Sequence, residues 1–226
     1  MYKLLVINPN SSEKVTNDMR DLLPQVPGIQ YDFYTAPAAA PSEIDGEHAG
    51  EVSEAVVYPD LIKRKLLDYD GYLVCCYSDH PLVYSLTQST NKPILGIMLG
   101  SLIYSVSNPR FSKSMILTST SSWNNTLDKS ILKFFKSHSF PQSMARTKSF
   151  DINVVNLNNP VVYGEIVKKV QLYLDEEPQV NCVLLGCAGM VGLDSKLAKT
   201  FPDVRFIDSV RVSAEILASL VRFETS

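Results

Sequence analysis

Gly71-Tyr72-Leu73-Val74-Cys75-Cys76-Tyr77-Ser78-Asp79 is a short apolar run that stops abruptly at polar residues. It reads as a buried strand giving way to a loop, with Cys76 at the point of change. The same figure returns at Cys182-Val183-Leu184-Leu185-Gly186-Cys187-Ala188-Gly189, with Cys187 in the corresponding place. Two buried strands, each ending on a thiol, are the frame around which the rest of the chain is read.

Outward from these runs, short apolar stretches alternate with helical patterns. Strands are expected at 3–8, 29–35, 71–76 and 93–97, and again at 114–118, 151–157, 180–186 and 204–207. Helices are expected from Ser11 and Ser12, which offer caps to a face carrying Val15, Met19, Leu22 and Leu23, and then over 51–68, with Pro59 as a kink or break. Further helices follow at 81–89, 123–137, 159–176, 193–200 and 209–222. Ala36 to Gly50 is rich in Ala, Pro and small polar residues and reads as a long, functional loop. This alternation predicts an α/β fold of mainly parallel sheets flanked by helices, with right-handed crossovers.

The pattern also restarts. Asn8 and Thr118, each closing a strand before a cluster of capping residues, stand 110 positions apart, and Cys76 and Cys187 stand 111 apart. Two similar lobes are therefore expected: 1–95, with 208–226 packing back onto it, and 96–207. The strand C-termini of both would face one cleft, where α/β proteins place their ligands.

Composition narrows the function classes. The chain has 226 residues, 45% hydrophobic and 20% charged, with a net charge of -3. It carries no basic tract for nucleic acid and no run of transmembrane or signal-peptide length. Four cysteines in a chain of this size read as free thiols in a reducing compartment, so the cytosol is expected, with a nuclear pool compatible.

Cys75 and Cys182 lie within strands and read as packing. Cys76 and Cys187 lie at strand ends, where loop and helix-start amides favour a thiolate. One such thiol can remove a proton from a carbon while the other returns one to the opposite face. The cysteine spacing is not that of a zinc site, and no metal is expected. Asn8-Pro9-Asn10-Ser11-Ser12 reads either as capping alone or as a cap whose amides also hold a ligand oxygen. His80 beside Cys76 reads as structural or as a partner for the thiol. Asp79 reads as the cap of the next helix or as a ligand contact, Pro41-Ser42-Glu43-Ile44-Asp45 as a solvated turn or a flap, and Trp123 and Tyr77 as packing or lining residues.

These residues resemble the aspartate/glutamate/hydantoin racemase superfamily, in its hydantoin/allantoin racemase branch. The resemblance rests on Val6-Ile7-Asn8-Pro9-Asn10-Ser11-Ser12 and, more specifically, on Leu185-Gly186-Cys187-Ala188-Gly189-Met190. Cys76-Tyr77-Ser78-Asp79-His80-Pro81 is similar to the first cysteine segment, with His80 interposed in the usual Asp-Pro pair. Gly96-Ile97-Met98-Leu99 departs, since the family usually has a glutamate there. The resemblance implies Cys76 and Cys187 as catalytic and Asn10, Pro41, Ser42, Tyr77, Ser78, Asp79, Thr118, Ser119, Ala188 and Gly189 as substrate-binding. It implies no cofactor, a small-molecule substrate such as a 5-substituted hydantoin or allantoin, and a homo-oligomer. The alternatives are an amino-acid racemase, a related isomerase or decarboxylase, or a non-catalytic binder on the same scaffold.

Overall fold

The computed structural model describes residues 1–152 and 160–225. The first lobe runs β1 (Tyr2–Asn8), α1 (Glu13–Leu22), β2 (Ile29–Thr35), α2 (Glu47–Lys63), β3 (Gly71–Val74), α3 (Pro81–Thr87) and β4 (Ile94–Gly96). It continues without a loop into α4 (Ile97–Ser107). The second lobe runs β5 (Ser114–Thr118), α5 (Asn124–Phe135), β6 (Lys148–Ser149), α6 (Tyr163–Glu176), β7 (Cys182–Gly186), α7 (Leu193–Thr200) and β8 (Arg205–Asp208), and β8 passes directly into α8 (Ser209–Thr225).

Both sheets are parallel and four-stranded, in the orders β2-β1-β3-β4 and β6-β5-β7-β8. The second order is the first repeated, so the restart in the sequence is a repeat of topology. Register carries the repeat down to single residues. Ile7 pairs with Val74, and Cys75 N–H donates to the Ile7 carbonyl at 2.8 Å, which sets Asn8 beside Cys75. Thr118 pairs with Gly186. Cys76 and Cys187 are thus each the next residue after equivalent strand-end positions.

Alternation along the strands splits the side chains between two faces. Leu4, Val6, Leu73 and Cys75 from the first sheet meet Ile116, Cys182 and Leu184 from the second in one shared core, with Val210, Ala214 and Leu217 of α8. Leu5, Ile7, Tyr72 and Val74 face outward onto Val57, Leu61 and Leu82, and Met115, Leu117, Val183 and Leu185 onto Ile166 and Val170. Three or four apolar residues in succession, buried on both faces, explain why the sequence shows continuous apolar runs.

The helices that end each lobe cross. α8 lies on β3: a Cβ at Gly71 would stand 2.8 Å from Val221 Cγ2. α4 and α8 approach closely enough that a Cβ at Gly100 would stand 2.2 Å from Ser213 Oγ and 3.0 Å from its Cα. Ser213 also donates to the Ile97 carbonyl at 3.2 Å.

The structure departs from the sequence reading in three places. α4 has no counterpart in it: Gly96 opens the helix with no side-chain cap, and its apolar residues give no amphipathic stripe. α2 begins at Glu47 and runs through Pro59. The carbonyl deprived of a partner there is that of Ala55, four residues back, and both residues are exposed, so water serves it. The second lobe's edge strand is the two-residue β6, before the expected 151–157 stretch, most of which lies outside the described residues.

Candidate active site

The two strand-end thiols line one cavity. Its other walls come from Asn10 and Val15, from Glu43 and Ile44 of the loop before α2, from Cys75 and Tyr77, from Thr118, Ser119 and Trp123, and from Gly186 and Ala188. The cavity measures about 40 Å³, room for about two or three waters. A ring-sized substrate needs more room than this, so the cavity walls must give way to admit one.

Each thiol sits on a tight turn. Ser78 N–H donates to the Cys76 carbonyl at 3.0 Å, and Met190 N–H donates to the Cys187 carbonyl at 3.0 Å. Each also has a serine hydroxyl near it: Ser78 Oγ lies 3.4 Å from Cys76 Sγ, and the Ser119 hydroxyl lowers the Cys187 thiol. Burial pushes the Cys76 thiol up to about 11, with the Ser78 hydroxyl drawing it back. Burial pushes Cys187 up to about 12; the Gly189 N–H lowers it, the charges of Cys76 and Glu43 raise it, and Ser119 lowers it. Both groups rest as thiols at neutral pH, and each is a strong base once ionised.

The other two cysteines differ. Cys75 contributes to the wall, but its thiol turns back to the Leu73 carbonyl at 3.8 Å. Cys182 is fully buried in the shared core.

Gly186 is small because Ile116 crowds it most closely, with the Leu117 carbonyl and Tyr77 beside it. A Cβ there would stand 2.9 Å from Ile116 Cγ2 and 3.3 Å from Tyr77 Cδ1. Tyr77 thus packs its ring against Gly186 of the second lobe, while its hydroxyl is 2.9 Å from Ser101 Oγ on α4.

The Asn8–Ser12 segment forms a capped turn. Asn8 is fully buried and its amide donates to the Ser12 carbonyl and Thr16 Oγ1, both at 3.0 Å. Asn10 Oδ1 accepts from Ser12 N–H at 2.9 Å, and Ser12 Oγ caps α1 by accepting from Val15 N–H at 3.4 Å. Asn10 also lines the cavity, so capping and lining coexist.

The loop over residues 36–46 is strapped at both ends. Ser11 holds it to the first lobe, donating its N–H to the Pro41 carbonyl at 2.9 Å and its hydroxyl to the Ala40 carbonyl at 3.0 Å. The second lobe holds the other end: Trp123 Nε1 donates to the Ile44 carbonyl at 3.2 Å and Ser122 Oγ to the Asp45 carbonyl at 3.1 Å.

Of the residues expected to bind substrate, Asn10, Tyr77, Thr118, Ser119 and Ala188 line the thiol cavity. Pro41 and Ser42 sit just before Glu43 in the strap, and Gly189 acts through its N–H on Cys187. Ser78 and Asp79 line neighbouring cavities. Asp79 pairs with Lys133 of α5 and accepts from the Tyr84 hydroxyl at 2.6 Å. His80 takes the cap: its Nδ1 accepts from Leu82 N–H at 3.2 Å, and it is 1% exposed and absent from the thiol cavity. Glu43 and Val15 were not among the expected site residues. Val15 carries only a core signal, and Glu43 is an ordinary loop carboxylate until the strap folds over.

The chain matches the family described as Asp/Glu/Hydantoin racemase over residues 4–217. It is 30% identical to Protein DCG1 of Saccharomyces cerevisiae, over 99% of this chain and 98% of that protein. It is 23% identical to a hydantoin racemase of Paenarthrobacter aurescens, over 97% and 91% respectively. An allantoin racemase from Klebsiella pneumoniae superposes with a TM-score of 0.82 at 19% identity, covering 99% of this chain and 89% of that one, a likeness of fold.

Proposed function

The chain belongs to the Asp/Glu/hydantoin racemase family, and we propose that it racemises a 5-substituted hydantoin or allantoin-like ureide without a cofactor, by proton transfer between Cys76 and Cys187. The observation that carries this reading is the placement of both thiols, from equivalent ends of two repeated sheets, in the wall of one cavity.

The substrate carbon lies between a ring carbonyl and a nitrogen. One cysteine, as thiolate, takes its proton, and the C–H electron pair moves into the carbonyl to give an enolate. The other cysteine, as thiol, protonates the carbon from the opposite face and is left as thiolate. The opposite enantiomer exchanges the two roles. Burial raises the two thiols to about 11 and about 12, so each thiolate is a stronger base than an ordinary one but is scarce at neutral pH. The amides of Tyr77 and Ala188, in the turns after each thiol, are the donors assigned here to the enolate oxygen, where one good donor contributes about 3 kcal/mol.

The lining argues against an amino-acid substrate. Among the described residues around the thiols there is no Lys, Arg or His to receive a carboxylate. The departure at His80 does not argue for a mere binder, because that residue serves as the cap of α3 and does not line the thiol cavity. The test is incubation with single enantiomers of 5-substituted hydantoins and of allantoin, followed by optical rotation. Decay to zero rotation at a catalysed rate is expected, and unchanged rotation for all of them contradicts the assignment.

A further inference from the structure

We infer that Ser101 is a positioning residue for the reaction, acting through Tyr77, whose ring is the spacer that fixes how far apart the two thiols stand. The inference deepens the function proposed above and rests on both thiols being the reacting groups.

Tyr77 directly follows Cys76, and Gly186 directly precedes Cys187. The Tyr77 ring lies in the wall of the thiol cavity and reaches Gly186, where an added Cβ would stand 3.3 Å from its Cδ1. One buried ring thus belongs to the residue beside one thiol and rests on the residue beside the other. A glycine offers that ring no side chain to lock against, so its angle is held from the hydroxyl end. Ser101, wholly buried on α4, donates to the Met98 carbonyl at 2.9 Å, which leaves its oxygen to accept from the Tyr77 hydroxyl 2.9 Å away. The anchor is firm, because Ser101 follows Gly100, where α4 is pressed on Ser213 of α8. α4 does not need the serine for itself, since alanine is the better helix former. Proton transfer between opposite faces needs both sulfurs within reach of one carbon, and a small misplacement is costly. Exchange at one face needs only one sulfur.

The test compares two rates in deuterated water, starting from single enantiomers of a 5-substituted hydantoin and of allantoin. Inversion is read by optical rotation, and deuterium exchange with retention by mass spectrometry of the unreacted enantiomer. Loss of folded protein lowers both rates alike and leaves their ratio unchanged. Ser101→Ala and Tyr77→Phe should each raise the ratio of exchange to inversion at least about tenfold. The double variant should go no further than either single one, because the two hydroxyls act as one unit. Ser105→Ala is the structural control: it removes another buried hydroxyl of α4, bonded to Ser114 at 3.1 Å, and should keep the wild-type ratio. An unchanged ratio in Ser101→Ala and Tyr77→Phe overturns the inference, as does an equal rise in Ser105→Ala. Cadmium alone gives a reading free of turnover, through the thiolate-to-cadmium absorbance of an ion bridging Cys76 and Cys187. Its affinity should fall at least about tenfold in Ser101→Ala and Tyr77→Phe and hold in Ser105→Ala. If the wild-type protein inverts none of the substrates, the function proposed above fails, and the cadmium affinities alone decide the spacer.

Discussion

Trp123 donates its indole N–H to the carbonyl of Ile44 at 3.2 Å, and that bond joins the second lobe to the loop of the first lobe that covers the thiols. Trp123 is itself buried, so the carbonyl it serves has no ready replacement from water. Trp123→Phe keeps most of the ring and removes the donor, at a cost of about 1–3 kcal/mol to the strapped loop. The expected result is faster alkylation of Cys76 and Cys187 by iodoacetamide and a rise of about tenfold in KM. Unchanged labelling kinetics would mean that the strap is held by other contacts.

The thiols fix the pH profile. With Cys76 near 11, about one molecule in ten thousand carries its thiolate at pH 7. The reactive form is the deprotonated one, so log kcat/KM should climb with a slope near one between pH 7 and 9. A plateau across that range would show that the free enzyme already holds a thiolate.

His80 should govern acid stability. Burial lowers it to about 4 from an ordinary value near 6.5, and its buried Nε2 has no hydrogen-bond partner among the described residues. Between those values the unfolded chain takes up a proton that the folded chain refuses. Stability is therefore full above pH 6.5 and is lost as pH falls through 4, by about 3 kcal/mol. His80→Asn retains a capping side chain and removes this loss. Urea titrations of both proteins at pH 7 and pH 4.5 compare the two, and equal losses would rule His80 out.

Two glycines should respond oppositely. Gly100→Ala puts a methyl group against Ser213, whose backbone cannot yield, and should destabilise by about 2–3 kcal/mol. Gly164→Ala, in the first turn of α6 with nothing within 4 Å of the new atom, should stabilise by about 0.5–1 kcal/mol. Thermal melts of both variants decide it.

These residues also show what the sequence can disclose. The strand ends at Cys76 and Cys187 were legible because burial on both faces leaves continuous apolar runs, and a run that stops at Ser78 or Gly189 marks its own end. α4 was not, because a helix that starts on Gly96 straight from a strand, buried through Ile97, Met98 and Leu102, offers neither cap nor stripe. Glu43 was not, because its place beside Cys187 depends on Ser11, Ser122 and Trp123 closing the loop from two lobes. Local pattern locates elements; contacts over such sequence distances are set only when the lobes meet.

The central claim is tested most directly by Cys76→Ser and Cys187→Ser variants, each incubated with either enantiomer of a 5-substituted hydantoin in deuterated water. Racemisation should fall at least about a thousandfold in both variants. Each should keep measurable deuterium exchange, without inversion, for the one enantiomer whose proton faces the remaining thiol. Full racemisation by either single variant would contradict the two-thiol mechanism.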